Sequence, residues 1–173
     1  MATHEQVERD DPGFLSDLRG SHAATWAIAQ WIWNKGDRTV EIGPKRERPS
    51  VSDRFSYADG GDLYVTYGGQ RLRIEAKHRP RRDGEWRSAT EFPYESIIVN
   101  VAHLIDNADP KAHAHVIANK WLTHAFIVLA RTQDQWTRER RFDSNTQRER
   151  DFYFCPLELC NFVRLSKAST EEE

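Results

Sequence analysis

Residues 61–77 read Gly61-Asp62-Leu63-Tyr64-Val65-Thr66-Tyr67-Gly68-Gly69-Gln70-Arg71-Leu72-Arg73-Ile74-Glu75-Ala76-Lys77, and they decide the fold. Two alternating runs, 62–67 and 70–77, flank a Gly-Gly pair. Glycines at both central positions supply the positive φ angles that a two-residue hairpin turn requires. The turn sets a register in which Tyr67 faces Gln70, Val65 faces Leu72 and Asp62 faces Glu75. One face then collects Leu63, Val65, Leu72, Ile74 and Ala76, all apolar. The opposite face collects Asp62, Tyr64, Thr66, Arg71, Arg73, Glu75 and Lys77. A slip of one residue would turn the apolar set to solvent, so the alternation supports this register independently of the turn.

Opposed carboxylates on paired strands stand roughly 4.5–5.5 Å apart at Cβ and repel unless a cation or a shared proton compensates. A divalent ion is the simplest compensation. Magnesium takes hard oxygen ligands, few of them from protein, and completes its octahedron with water and substrate phosphate. Lys77, two residues beyond Glu75, emerges on the same face. Asp53 and Asp59 compete with Asp62 for the metal role. Asp59 precedes the Gly60-Gly61 bend, where aspartate is ordinary turn chemistry, and is therefore the second choice.

Working outward, residues 21–35 (SHAATWAIAQWIWNK) carry a serine at the start and Gly36 just past the end, the marks of a helix. Trp26, Ile28, Trp31, Ile32 and Trp33 surround most of it, so it is expected to lie against a sheet or a partner. Thr39 to Ile42 reads as a short strand ended by Gly43-Pro44. Beyond the hairpin, Tyr94 to Ile105 reads as a helix with Ile97, Ile98, Val101, Leu104 and Ile105 inward. Asp109-Pro110 opens another to about Trp121. Ala125 to Ala130 (AFIVLA) is apolar throughout, as expected of a central strand covered on both faces. Gln133 to Arg150 reads as a surface excursion, Phe152 to Pro156 as a strand, and Leu157 to Leu165 as a closing helix or strand.

At 173 residues the chain is expected to form one domain, 19–166, after a flexible leader, 1–18, and before a disordered acidic tail, 167–173. A 38% hydrophobic, 30% charged composition with net charge -2 belongs to a soluble globular protein, not a membrane or collagen-like one. No apolar run reaches membrane-spanning length and no secretory segment is evident, so a cytoplasmic location is expected. Cys155 and Cys160 then read as free thiols.

Gly61-Asp62-Leu63 on one strand and Glu75-Ala76-Lys77 closing the next resemble the PD-(D/E)XK nucleases, the restriction-endonuclease-like superfamily. That family has an α-β-β-β-α-β core, and the likeness covers the order of elements from about residue 21 to 130. It implies an α/β domain with a mixed central sheet flanked by helices. Asp62 and Glu75 would hold Mg2+, or Mn2+ in its place, with the Ala76 carbonyl, while Lys77 positions or activates water for phosphodiester hydrolysis. DNA is the expected substrate, ahead of RNA, on the likeness alone. Two features depart from the pattern: Gly61 replaces the usual proline, and the first helix offers His22 and Gln30 where many members add a carboxylate.

The basic loop supplies candidate nucleic-acid contacts. His78, Arg79, Arg81, Arg82 and Arg87 would neutralise phosphates and Trp86 would stack a base, with Arg71 and Arg73 extending the track along the site face. The histidines 103, 113, 115 and 124 form no zinc pattern, since positions 113 and 115 on a helix would point to different sides. Lys111, Lys120, Arg138, Arg140 and Arg141 read as solubilising charges. Two other functions are consistent with the sequence: a nucleic-acid-binding module without turnover, and a protein-interaction domain using the tryptophan-rich helix. A two-fold homodimer would suit double-strand cleavage.

Overall fold

The computed structural model describes residues 12–43, 62–143 and 147–166, with side chains from residue 22 onward. The hairpin forms in the expected register. Strands β2 (Leu63–Tyr67) and β3 (Gln70–His78) pair antiparallel, with Leu63 opposite Ile74, Val65 opposite Leu72 and Tyr67 opposite Gln70. Gly68 and Gly69 turn the chain at φ 56° and 78°. A Cβ added at Gly69 would meet nothing within 4 Å, so Gly69→Ala incurs only the left-handed backbone penalty. That penalty is about 1 kcal/mol and should lower the thermal midpoint by about 2–4 °C.

Helix α1 (Pro12–Trp33) and β1 (Thr39–Ile42) precede the hairpin, and β1 pairs antiparallel with β2. After it come β4 (Ser96–Val101), the short helix α2 (Ala102–Asp106), β5 (Ala114–Ala118), β6 (His124–Leu129), β7 (Thr137–Asp143), β8 (Arg148–Pro156) and β9 (Asn161–Arg164). Among the described residues a six-stranded mixed sheet runs β1-β2-β3-β5-β6-β9, parallel only at β3/β5; β4-β8-β7 form a separate antiparallel sheet. On one face of the large sheet, Ala24, Ile28, Ala29 and Ile32 of α1 pack on Leu63, Val65, Ile74, Ala76 and Val116. On the opposite face, Ile117, Phe126 and Val128 pack with Ile97, Val99 and Cys155 of the small sheet. Among the described residues, no helix is long and apolar enough to cross a membrane. Both cysteines are free thiols.

Several expectations are corrected. The helix begins at Pro12, so residues 12–18 of the expected leader are helical and Ser21 is interior. A first-turn proline loses no intrahelical hydrogen bond, which is why the chain tolerates one there. Residues 1–11 and the tail lie outside the described residues. Residues 96–101 form a strand, not a helix. Ile97, Val99 and Val101 are all buried, and Val99 would face away from the other two in a helix. A β-branched run also favours the extended chain. The helix expected at 109–121 is instead β5, buried at all five positions because strands flank it and layers cover both its faces. A short apolar run has no periodicity to distinguish those two states. Residues 133–150 hold the start of the β7/β8 hairpin, whose polar strands are paired through Arg138–Asp151, Arg140–Glu149 and Arg150–Asp143. The sheet is thus mixed, as expected, but its second face is covered by a small sheet in place of a helix.

Candidate active site on the hairpin

Asp62 immediately precedes β2, is 9% exposed, and accepts the Ala76 amide N–H on Oδ2 at 2.8 Å. This bond ties the start of β2 to the end of β3. Glu75 and Lys77 follow on β3 at two-residue spacing, so alternation places them on the sheet face away from α1. Their registered neighbours on β5 are His115 and Ile117, and Ile117 belongs to the second core. The site therefore borders the seam between the two sheets.

Arg73 changes the electrostatics of this face. Expected as a phosphate contact, it is only 7% exposed and its Nε donates to Glu75 Oε1 at 3.0 Å. Nη2 donates to the same oxygen and Nη1 to the Pro110 carbonyl. A guanidinium therefore already compensates part of the negative charge that the hairpin concentrates. Lys77 is half-buried and makes no ion pair among the described residues.

His115, dismissed on helical geometry, faces Glu75 directly across the parallel pair. It is 3% exposed, lies edge-on to Trp136 with ring centroids 6.1 Å apart, and its buried Nδ1 has no hydrogen-bond partner among the described residues. Burial first, then the positive charges of Lys77 and Arg73, lower its pKa to about 3 against the opposing pull of Asp62. Those influences place His115, Asp62, Arg73 and Lys77 in one electrostatic neighbourhood. His113 keeps β-strand spacing from His115, and its Nδ1 accepts the Arg73 backbone N–H at 3.2 Å.

A pH dependence follows from the burial of His115. Above pH 6.5 the imidazole is neutral folded and unfolded, so it contributes nothing; between 6.5 and about 3 only the unfolded chain takes up the proton. Stability therefore falls as pH falls through that window, by about 1.4 kcal/mol per pH unit. Urea denaturation in a chelating buffer at pH 7, 6 and 5 should show this slope in the native chain and a shallower one in His115→Gln. Parallel curves would remove the buried neutral histidine from the account.

The expected nucleic-acid track is brought together only in part. Arg71 is exposed, pairs with Glu41 and stacks over Tyr64. His78 Nε2 donates to the Lys120 carbonyl. Arg79 is bound to Asp83 and to the Ile98 carbonyl, beneath Gly84, where a Cβ would stand 1.8 Å from the Arg79 carbonyl oxygen. Arg81 and Arg82 are exposed, as is Arg87, which lies over Trp121. Trp86 is no stacking platform: it is 1% exposed among Phe92, Phe126 and Phe162, with Nε1 donating to the Asp83 carbonyl. His22 and Gln30 are exposed on α1, which covers the opposite face of the sheet, so they do not join the cluster. Asp53 and Asp59 lie outside the described residues.

Among the described residues no three His, Cys, Asp or Glu side chains converge as a metal-binding group. The hairpin carries two carboxylates, Asp62 and Glu75, and one or two carboxylates are the number magnesium takes from protein when waters and substrate phosphate supply the rest. Compared with known proteins, the chain matches no family model, no curated protein and no solved structure.

Proposed function

We propose that this chain is a metal-dependent nuclease hydrolysing phosphodiester bonds in DNA, with Asp62 and Glu75 holding Mg2+ or Mn2+ and Lys77 acting on the attacking water. One observation carries the reading: Asp62 accepts the amide N–H of Ala76, the residue between Glu75 and Lys77 on β3, and the charges of Asp62 and Lys77 both act on His115, the β5 neighbour of Glu75. The order α1-β1-β2-β3, followed by a crossover to a strand parallel to β3, supports the restriction-endonuclease-like likeness. The crossover departs from it, because it carries β4 and only a five-residue helix.

When bound, the ion supplies a lowered water pKa and offsets charge developing on the phosphate oxygens. The chain supplies the rest. Asp62 is oriented by a backbone donor, and Glu75 is held by Arg73 through Oε1. The Lys77 ammonium, without an ion pair among the described residues, is available to hold water or a non-bridging oxygen. The likeness makes the Ala76 carbonyl a third oxygen ligand.

A second reading, a nucleic-acid-binding module without turnover, is favoured by the Arg73–Glu75 pair, which already neutralises one carboxylate. Supercoiled, linear and single-stranded DNA, and RNA, incubated with Mg2+, Mn2+ or a chelator separate the two. Metal-dependent cutting supports the nuclease, whereas retarded mobility without cutting supports the binding module. Neither cutting nor retardation would sink both.

A further inference from the structure

An open cavity of about 590 Å3 lies where β5 begins and β6 ends, with Lys111, His113 and Arg131 in its wall and no acidic side chain among the described residues that line it. Lys111 and Arg131 are exposed and make no ion pair among the described residues. Their condition differs from that of Arg138, Arg140, Arg141 and Arg150 on the β7/β8 hairpin, each of which meets a carboxylate. His113 accepts the Arg73 N–H on Nδ1, so a neutral ring carries its proton on Nε2 and keeps a donor for an anion. Pro110, also in the wall, accepts Arg73 Nη1 through its carbonyl, and the same guanidinium holds Glu75. One buried side chain therefore joins the cavity wall to the proposed metal-binding carboxylate.

We propose that this cavity binds a backbone phosphate of the nucleic acid flanking the one that is cut, with Lys111 and Arg131 neutralising it and His113 donating to it. The inference rests on reading Asp62, Glu75 and Lys77 as a nuclease site, and it adds where the substrate strand continues. A phosphodiester within a polymer fits the cavity better than a free phosphate: the cavity is open, its cations are exposed, and it adjoins the site through Arg73.

The test is binding of a fluorescent DNA duplex, and of the matching single strand, in a chelator across a salt series, beside cleavage in Mg2+ or Mn2+. Lys111→Ala/Arg131→Ala should weaken binding at least about tenfold and lower the slope of log affinity against log salt by about 1, the share of one neutralised phosphate. Arg140→Ala/Arg141→Ala, which removes cations already paired on the hairpin, should stay within about twofold. Millimolar inorganic phosphate should not displace the DNA, and displacement that depends on Lys111 and Arg131 would overturn the polymer assignment. Native-like affinity in the Lys111/Arg131 variant overturns the cavity inference and leaves the nuclease reading standing if cleavage persists. Lys111- and Arg131-dependent binding with no cleavage in either metal overturns the nuclease reading, and with it the placing of this phosphate beside a cut one, while keeping the phosphate contact at the cavity. Absence of binding by the native chain overturns the cavity.

Discussion

Lys77→Ala is expected to lower metal-dependent cleavage by about 10²–10³-fold, the usual loss when one preorganised electrostatic contact to a transition state is removed. It is the cleanest of the site variants, because the ammonium has no ion pair among the described residues and its loss leaves no buried charge without a partner. Asp62→Asn and Glu75→Gln should cost at least as much, since each removes a negative charge from the proposed ion's ligand set. Both retain an oxygen, so the amide of Ala76 and the guanidinium of Arg73 can keep their acceptors. Glu75→Ala is a poorer choice: it would strand the buried Arg73, and removing one partner of a buried ion pair costs about 3–5 kcal/mol on its own. Cleavage rates should be read beside DNA affinity in a chelator, which Lys77→Ala should change by less than about tenfold. Full activity in all three variants would end the nuclease assignment.

Trp86→Ala should produce a large loss of stability, about 3–5 kcal/mol. Against the roughly 5–15 kcal/mol that holds a domain of this kind together, that is a large share. The indole is fully enclosed in the second core, where Phe126 lies 4.8 Å away between ring centroids and the Asp83 carbonyl accepts Nε1–H. Chemical denaturation should show a lowered midpoint, while the exposed neighbour Arg87→Ala stays near the native value. A base-stacking tryptophan would give the opposite pattern, weakened DNA binding with unchanged stability.

The fate of Trp86 shows how far local reading reaches. A tryptophan between arginines has the composition of a nucleic-acid loop. In the structure Gly84 packs against the Arg79 backbone, the chain folds back, and the ring enters the core. Sequence contains the aromatic and the glycine but not the cavity that receives them. The site face has the same division. That Glu75 and Lys77 share a face beside Asp62 at the strand start was legible because a two-residue turn and period-two alternation are local constraints. The burial of Arg73 was also available in principle, since it lies on that face two residues before Glu75. Its pairing, however, depends on Pro110, brought near by the crossover to β5.

His115 makes the same point from the other direction. On a helix it would point to a different side from His113; as part of a strand parallel to β3 it stands opposite Glu75. Nothing in the run Ala114-His115-Val116-Ile117-Ala118 distinguishes those states, because a fully buried segment has no solvent-facing stripe to set a period. The alternation at 97, 99 and 101 held a readable signal in its β-branched residues, but the i, i+4 spacing that strand and helix share at 97 and 101 concealed it.

By itself the sequence determined the Gly68-Gly69 hairpin, its register, and the sheet face shared by Glu75 and Lys77, because turn geometry and side-chain alternation act over only a few residues. Tertiary structure alone decided that β5 lies beside β3, that a small sheet covers the second face, and that Arg73 and His115 complete the neighbourhood of Glu75. Those outcomes depend on which distant segments bury one another, and pairing across forty residues leaves no local periodicity to read.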